Sequence, residues 1–174
     1  MRHFKLIVQY DGTDYYGFQI QPGIPTIQGV IEQKLKNLLH NPVRVTGASR
    51  TDVGVHARGQ VIALSTGIPI NAERLKNAIN HALPRDIVVK SSLEVSGDFH
   101  PRFNAQCKSY SYTIWNHKHA DPFNSRFHWH YRYALDIDAM SEATRYLIGY
   151  NDFSAFEAAG SSIRNKYRTL QRLE

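Results

Sequence analysis

Six segments in the first 95 residues change their hydrophobic period in a fixed order, and that order constrains the fold more than any other feature of the chain. Phe4, Leu6, Val8 and Tyr10 alternate with polar or basic residues, which predicts a strand ending at the Asp11-Gly12 turn. TIQGVIEQKLKNLLH (26–40) then places Ile27, Val30, Ile31, Leu35, Leu38 and Leu39 on one helical face, with Thr26 as its cap and Pro42 just beyond its end. VRVTGA (43–48) and QVIALST (60–66) read as strands. A second helix follows, capped by Asn71, with Leu75, Ile79 and Leu83 inward and Pro84 ending it, and DIVVKSSLEV (86–95) closes the set. The order β-α-β-β-α-β predicts an α+β fold with a ferredoxin-like (RRM-like) antiparallel sheet and both helices on one face. The other face is left free for a ligand, and residues 1–97 are expected to form this N-terminal unit.

Residues 98–174 begin again. QCKSYSYTIWN (106–116) and FHWHYRY (127–133) read as strands. DIDAMSEATRYLIG (136–149) reads as a helix with Ile137, Met140, Ala143, Leu147 and Ile148 inward. A polar linker over 158–168 leads to YRTLQRLE (167–174), which starts to alternate as a strand. A terminal strand with nothing to cover it is an edge that proteins avoid. The expectation is therefore a second α/β unit of the same type, truncated at its C-terminus.

The balance of charge narrows the class of partner. The 174 residues carry a formal charge of +6, with ten tyrosines among 11% aromatics, which suits a polyanion that also offers flat bases, such as RNA. A single cysteine, Cys107, excludes an internal disulfide framework and fits a reducing compartment; it is expected to be a small buried strand residue. MRHFKLIVQY lacks the apolar run of a signal segment, and no stretch reaches the roughly 20 apolar residues of a membrane span. A soluble, cytoplasmic protein is expected.

The chemistry concentrates in GASRTDVGVHARGQ (47–60), a segment too irregular for helix or strand. It sets one carboxylate, Asp52, among Arg50, His56 and Arg58, punctuated by Gly47, Gly54 and Gly59. Neighbouring cations favour the ionised form of a carboxylate, so Asp52 is expected to be charged at neutral pH and able to act as nucleophile or base. The same cations would grip phosphates, and the glycines would let the backbone turn and approach a ligand. The plainer alternative is a surface loop whose aspartate only pairs with an arginine.

The wording of this stretch resembles the catalytic signature of the TruA family of tRNA pseudouridine synthases, whose usual form is GxGRTDxGVHAxGQV. Further segments resemble family motifs in the same order. They are YDGTDYYGFQ (10–19), Asn80 with LPRDIVV (83–89), DFHPRFNAQCKSYSYTIWN (98–116) and GYNDFSAF (149–156). The resemblance implies an isomerase that converts uridine to pseudouridine at nucleotides 38, 39 and 40 of the tRNA anticodon stem-loop. It implies no cofactor and no metal, and a homodimer as the full-length form. It further implies that Asp52 is the essential aspartate and that Arg50 fills the space left by a flipped nucleotide. Tyr112 would stack on the target uracil, and Arg102 would lie on the RNA-facing side.

Read from the residues alone, Tyr110 and Tyr112 share a strand face with Ile114 and would be core packing; the resemblance reassigns Tyr112. His117, His119, His128 and His130 sit in pairs two apart but lack the acidic or thiolate partners of a metal site. Ser49 stands where the family usually has glycine, so a positive φ there would strain the loop. The family's C-terminal FxHHMVR-like motif has no counterpart in these residues. The alternative function is thus a truncated, catalytically incompetent tRNA-binding module.

Overall fold

The structure, a computed structural model, describes residues 1–157 and 164–174, in two compact units, Met1–Tyr110 and Ser111–Glu174. The first unit runs β1 (Arg2–Tyr10), α1 (Ile27–Leu39), β2 (Val45–Gly47), β3 (Ala57–Thr66), α2 (Ala72–Ala82) and β4 (Ile87–Val95). Its four strands form one antiparallel sheet in the order β2-β3-β1-β4. The expected α+β class and all six elements are present, within a few residues of their expected ends.

Alternation decides which face is buried. Phe4, Leu6 and Val8 of β1 are fully buried and Tyr10 nearly so, whereas His3, Lys5 and Ile7 are half-buried on the opposite face. Ile27, Ile31, Leu35 and Leu39 of α1 and Leu75 and Ile79 of α2 share one core with those strand residues and with Ile62, Leu64 and Val89. Both helices therefore cover the same face. Removing one such side chain, as in Leu35→Ala, should cost about 2–5 kcal/mol through lost burial and the cavity left behind. The helix starts are as expected: the Thr26 hydroxyl accepts from the Gly29 N–H (3.2 Å), and Asn71 Oδ1 accepts from the Arg74 N–H (2.8 Å).

Helix side chains also satisfy the two sheet edges. On β2, the Val45 N–H donates to Glu32 Oε1 and the Val45 carbonyl accepts from Gln28 Nε2, both at 2.9 Å. On β4, Asn80 donates to the Val89 carbonyl (2.9 Å) and accepts from its N–H (2.8 Å). Each bond gives a backbone group that would otherwise face outward a partner inside the unit. The β1–β3 register shifts between Val8 and Tyr10, because Val8 pairs with Gln60 but Tyr10 with Ala57. One extra β3 residue is accommodated there, where the chain re-enters the sheet.

The second unit is less regular than its sequence suggests. β5 (Ile114–Trp115) pairs in parallel with β6 (Trp129–His130), and β7 (Gly149–Asp152) pairs antiparallel with β8 (Tyr167–Leu170). The four-stranded arrangement of the first unit is not repeated among the described residues. The strand expected over 106–116 is confined to Ile114–Trp115, because alternation makes a strand only where a neighbour supplies the ladder. Cys107 is accordingly exposed and not buried. The helix expected over 136–149 is α3 (Ile137–Ala143), followed by a 3-10 turn over Thr144–Tyr146 and then β7. The Asp136 side chain caps it by accepting from the Ala139 N–H, but Ile137 is 62% exposed, so its periodicity buries no core. Residues 158–163, the start of the expected linker, lie outside the described residues.

Candidate active site

The chain leaves the sheet at Gly47 and returns at Ala57, and nearly every backbone anchor of the intervening loop is specific. The Ala48 N–H donates to the Val61 carbonyl (2.8 Å), and the Ser49 carbonyl accepts from Gln60 Nε2 (2.6 Å). Thr51 is held twice: its hydroxyl meets the Tyr10 hydroxyl at 2.9 Å, and its carbonyl accepts from the Phe18 N–H at 3.0 Å. Beyond Asp52, the Val55 N–H closes a turn onto the Asp52 carbonyl (3.2 Å) and the Gly54 N–H donates to the Tyr15 carbonyl (3.2 Å). His56 Nδ1 lies 3.1 Å from the Gly12 nitrogen and 3.0 Å from an Asp11 carboxylate oxygen.

Half of these anchors come from the segment after β1, which explains the YDGTDYYGFQ stretch physically. At Gly12 a Cβ would overlap the Val55 carbonyl, and at Gly17 (φ +82°) it would stand 2.6 Å from the Thr51 oxygen. The close approaches thus fall on glycines of the neighbouring segment and on Gly47 at the head of the stretch, where a Cβ would stand 2.5 Å from the Phe18 ring; Gly54 (φ +75°) meets nothing within 4 Å. That segment is itself tied down. The Tyr15 hydroxyl donates to Asp86 Oδ1 (2.9 Å), and the Asp11 N–H donates to the Asp86 carbonyl (2.9 Å). Burial and the Asp86 carboxylate push the Tyr15 phenol well above its ordinary range. Burial also raises the Tyr10 phenol, so both remain neutral hydrogen-bonding groups at physiological pH.

What the loop presents is the opposite of its backbone. Arg50 and Asp52 of the loop, and Arg58 at the start of β3, are exposed, so a fixed main chain carries side chains free to meet a ligand. His56, expected among the cations around the carboxylate, turns back to Asp11. No ion pair involves Asp52 among the described residues. Ser49 does not strain the loop either, because His40 alone among the described non-glycine residues has a positive φ.

Arg50, Asp52 and His56 thus share one loop, and Arg58 follows at the start of β3. Arg102 is exposed on the turn after β4, where its N–H donates to His100 Nδ1 (3.2 Å). Tyr112 belongs to the second unit, on a segment without regular structure, and its ring is 91% exposed. Sequence reasoning read Tyr10 as a strand residue and Gly12 as part of a turn, and did not name them, Gln60 or Gly17 as supports of the loop. The available signal was the pair of glycines five apart, Gly12 and Gly17, in the connection between β1 and α1.

Comparison with known proteins accounts for this arrangement. The family model described as tRNA pseudouridine synthase matches residues 6–104, which include β1 from Leu6 onward, the anchoring segment and the whole loop. A tRNA pseudouridine synthase A from Brevibacillus brevis is 42% identical over 173 residues, covering 99% of this chain and 71% of the relative. One from Thermoanaerobacter sp. is 44% identical over 173 residues with the same coverages, and one from Moorella thermoacetica is 45% identical over 170 residues, 97% of this chain and 69% of the relative. The chain belongs to the tRNA pseudouridine synthase family.

Proposed function

We propose that this protein isomerises uridine to pseudouridine in tRNA, at nucleotides 38, 39 and 40 of the anticodon stem-loop, with Asp52 as the essential carboxylate. The observation that carries the reading is the pairing of a bound backbone with an exposed Asp52 side chain in the loop that the family model spans. A reacting group needs a fixed origin and an accessible tip. Every relative reported above is named as a synthase, which favours the enzyme over a bare tRNA-binding module.

The chemistry is balanced within the nucleotide. The bond from ribose C1′ to N1 breaks, the uracil turns, C1′ bonds to C5, the C5 proton leaves and N1 gains one. No electrons are exchanged with a partner. The target first leaves its stack, at a cost of a few kcal/mol that aromatic stacking and filling of the gap offset. Arg50 fills that gap, Tyr112 stacks on the uracil, and Arg58 and Arg102 hold phosphates. Asp52 attacks as nucleophile or assists cleavage of the glycosidic bond, and either it or the Tyr112 phenol takes the C5 proton. His56 serves the site from behind, through Asp11 and Gly12.

The first unit's element order and strand order support a ferredoxin-like reading. No helix of the described residues is long and apolar enough to cross a membrane, and a cytoplasmic homodimer acting on tRNA is the setting we propose. Release of tritium from tRNA carrying [5-³H]uridine tests the reaction. Asp52→Asn should abolish release and leave tRNA affinity within a few-fold; retained turnover would discard the assignment.

A further inference from the structure

We infer that Tyr10 and Gln60 are positioning residues for this reaction: a buried polar post that fixes Arg50 and Asp52 from beneath the loop. The inference rests on the reading of Asp52 as the reacting carboxylate. Tyr10 is 2% exposed and Gln60 7% exposed, both within a unit whose buried neighbours are apolar. Buried polar groups destabilise a core unless they are bonded, so what they bond reveals what they do. The register shift between β1 and β3 brings them together at the sheet end nearest the loop.

Their bonds run to the two residues flanking Arg50. Gln60 Nε2 donates to the Ser49 carbonyl at 2.6 Å, and the Tyr10 hydroxyl meets the Thr51 hydroxyl at 2.9 Å. Ser49 and Thr51 are therefore held from two adjacent strands, β3 and β1, at the same end of the sheet. Arg50 between them is exposed, and Asp52 follows directly on Thr51. From above, the Phe18 N–H grips the Thr51 carbonyl at 3.0 Å. The post does not touch the ligand side of the loop. It acts by setting the angle and height at which the guanidinium and the carboxylate leave the backbone, the quantity on which an oriented reaction depends.

The Tyr10 ring packs beside Phe18, with centroids 6.5 Å apart, so Tyr10→Phe keeps the packing and removes only the hydroxyl. Turnover and KM for tRNA are measured by tritium release for Tyr10→Phe, Thr51→Val, Thr51→Ser and the Tyr10→Phe/Thr51→Val pair. Each hydroxyl deletion should lower kcat about 10- to 100-fold while KM stays within about twofold. The double variant should lose no more than the worse single one, because both delete the same bond, and Thr51→Ser should restore turnover. Losses that appear in KM, or that multiply in the double variant, would overturn the inference. Amide hydrogen exchange over residues 48–57 gives a readout independent of activity. Exchange in Tyr10→Phe should quicken in that segment at a nearly unchanged melting temperature, and unchanged exchange would overturn the post. If the unaltered protein releases no tritium, the proposed reaction fails, and the exchange result still decides the post.

Discussion

Gly17 faces the carbonyl oxygen of Thr51 so closely that a Cβ there would stand 2.6 Å from it, in a backbone conformation (φ +82°) that side chains rarely adopt. Two separate segments meet at that point, and neither can retreat, because the Phe18 N–H bonds the same oxygen. Gly17→Ala should therefore destabilise the protein by about 1–3 kcal/mol and lower turnover. Gly23→Ala has a similar φ of +76° but open space around it, and should cost only the backbone penalty, about 1 kcal/mol. Urea unfolding midpoints of the two variants check the difference.

Asn80 holds both backbone groups of Val89 through one side chain. Asn80→Ala would leave an N–H and a carbonyl at the β4 edge without these partners, and should cost about 2–4 kcal/mol. Asn80→Asp should recover part of this, since its oxygens still accept from the N–H but cannot donate to the carbonyl. Chemical denaturation of the three proteins at neutral pH measures it.

Alkaline pH should unfold this protein earlier than a chain with ordinary tyrosines. The Tyr15 phenol is raised by burial and by Asp86, and Tyr10 by burial. A folded pKa above the unfolded one means that the folded state keeps its proton longer. The stabilisation is complete below the unfolded value near 10 and is lost as pH rises beyond it. Unfolding midpoints should be flat from pH 7 to about 9 and fall above about 10. Tyr15→Phe should flatten that fall.

Tyr112 stacks on the uracil in the proposed reaction, and either its phenol or Asp52 takes the C5 proton. Tyr112→Phe keeps the stacking surface and should leave tRNA affinity within a few-fold; turnover falls about 100-fold or more where the phenol takes the proton and changes little where Asp52 does. Tyr112→Ala should lose the stacking as well. Filter binding alongside tritium release separates the two effects.

Arg58 and Arg102 are exposed and should contribute to phosphate binding. Affinity for tRNA should fall steeply between low and physiological salt. Either arginine changed to alanine should make the slope of log affinity against log salt shallower by about one. A slope that neither alters would place the phosphate contacts elsewhere.

The sequence was most legible where a residue's neighbours are close along the chain. Thr26 and Asn71 cap their helices from three residues away, and Phe4, Leu6 and Val8 declare their face by alternation, so the first unit's six elements were readable. Ile137 and Met140 show the converse: a helical period signals a buried stripe only when another layer exists to bury it. The candidate site was visible as chemistry, through Arg50, Asp52 and Arg58, yet its supports were not. Tyr10 meets Thr51 across 41 residues and Tyr15 meets Asp86 across 71, separations that no local pattern reports. His56 was read as a partner of the ligand because it lies near Asp52 in sequence; the fold gives it to Asp11.

β2 ends after three residues, so the chain that follows hangs on a few particular contacts instead of a continuous ladder. A ladder accepts almost any residue, since main-chain groups do the bonding. A segment suspended from Tyr10, Gln60, Gly12 and Gly17 does not. In a saturation screen the positions least tolerant of replacement should therefore include several that never meet RNA, mapping a mutational shadow that extends well behind the surface where the nucleotide sits.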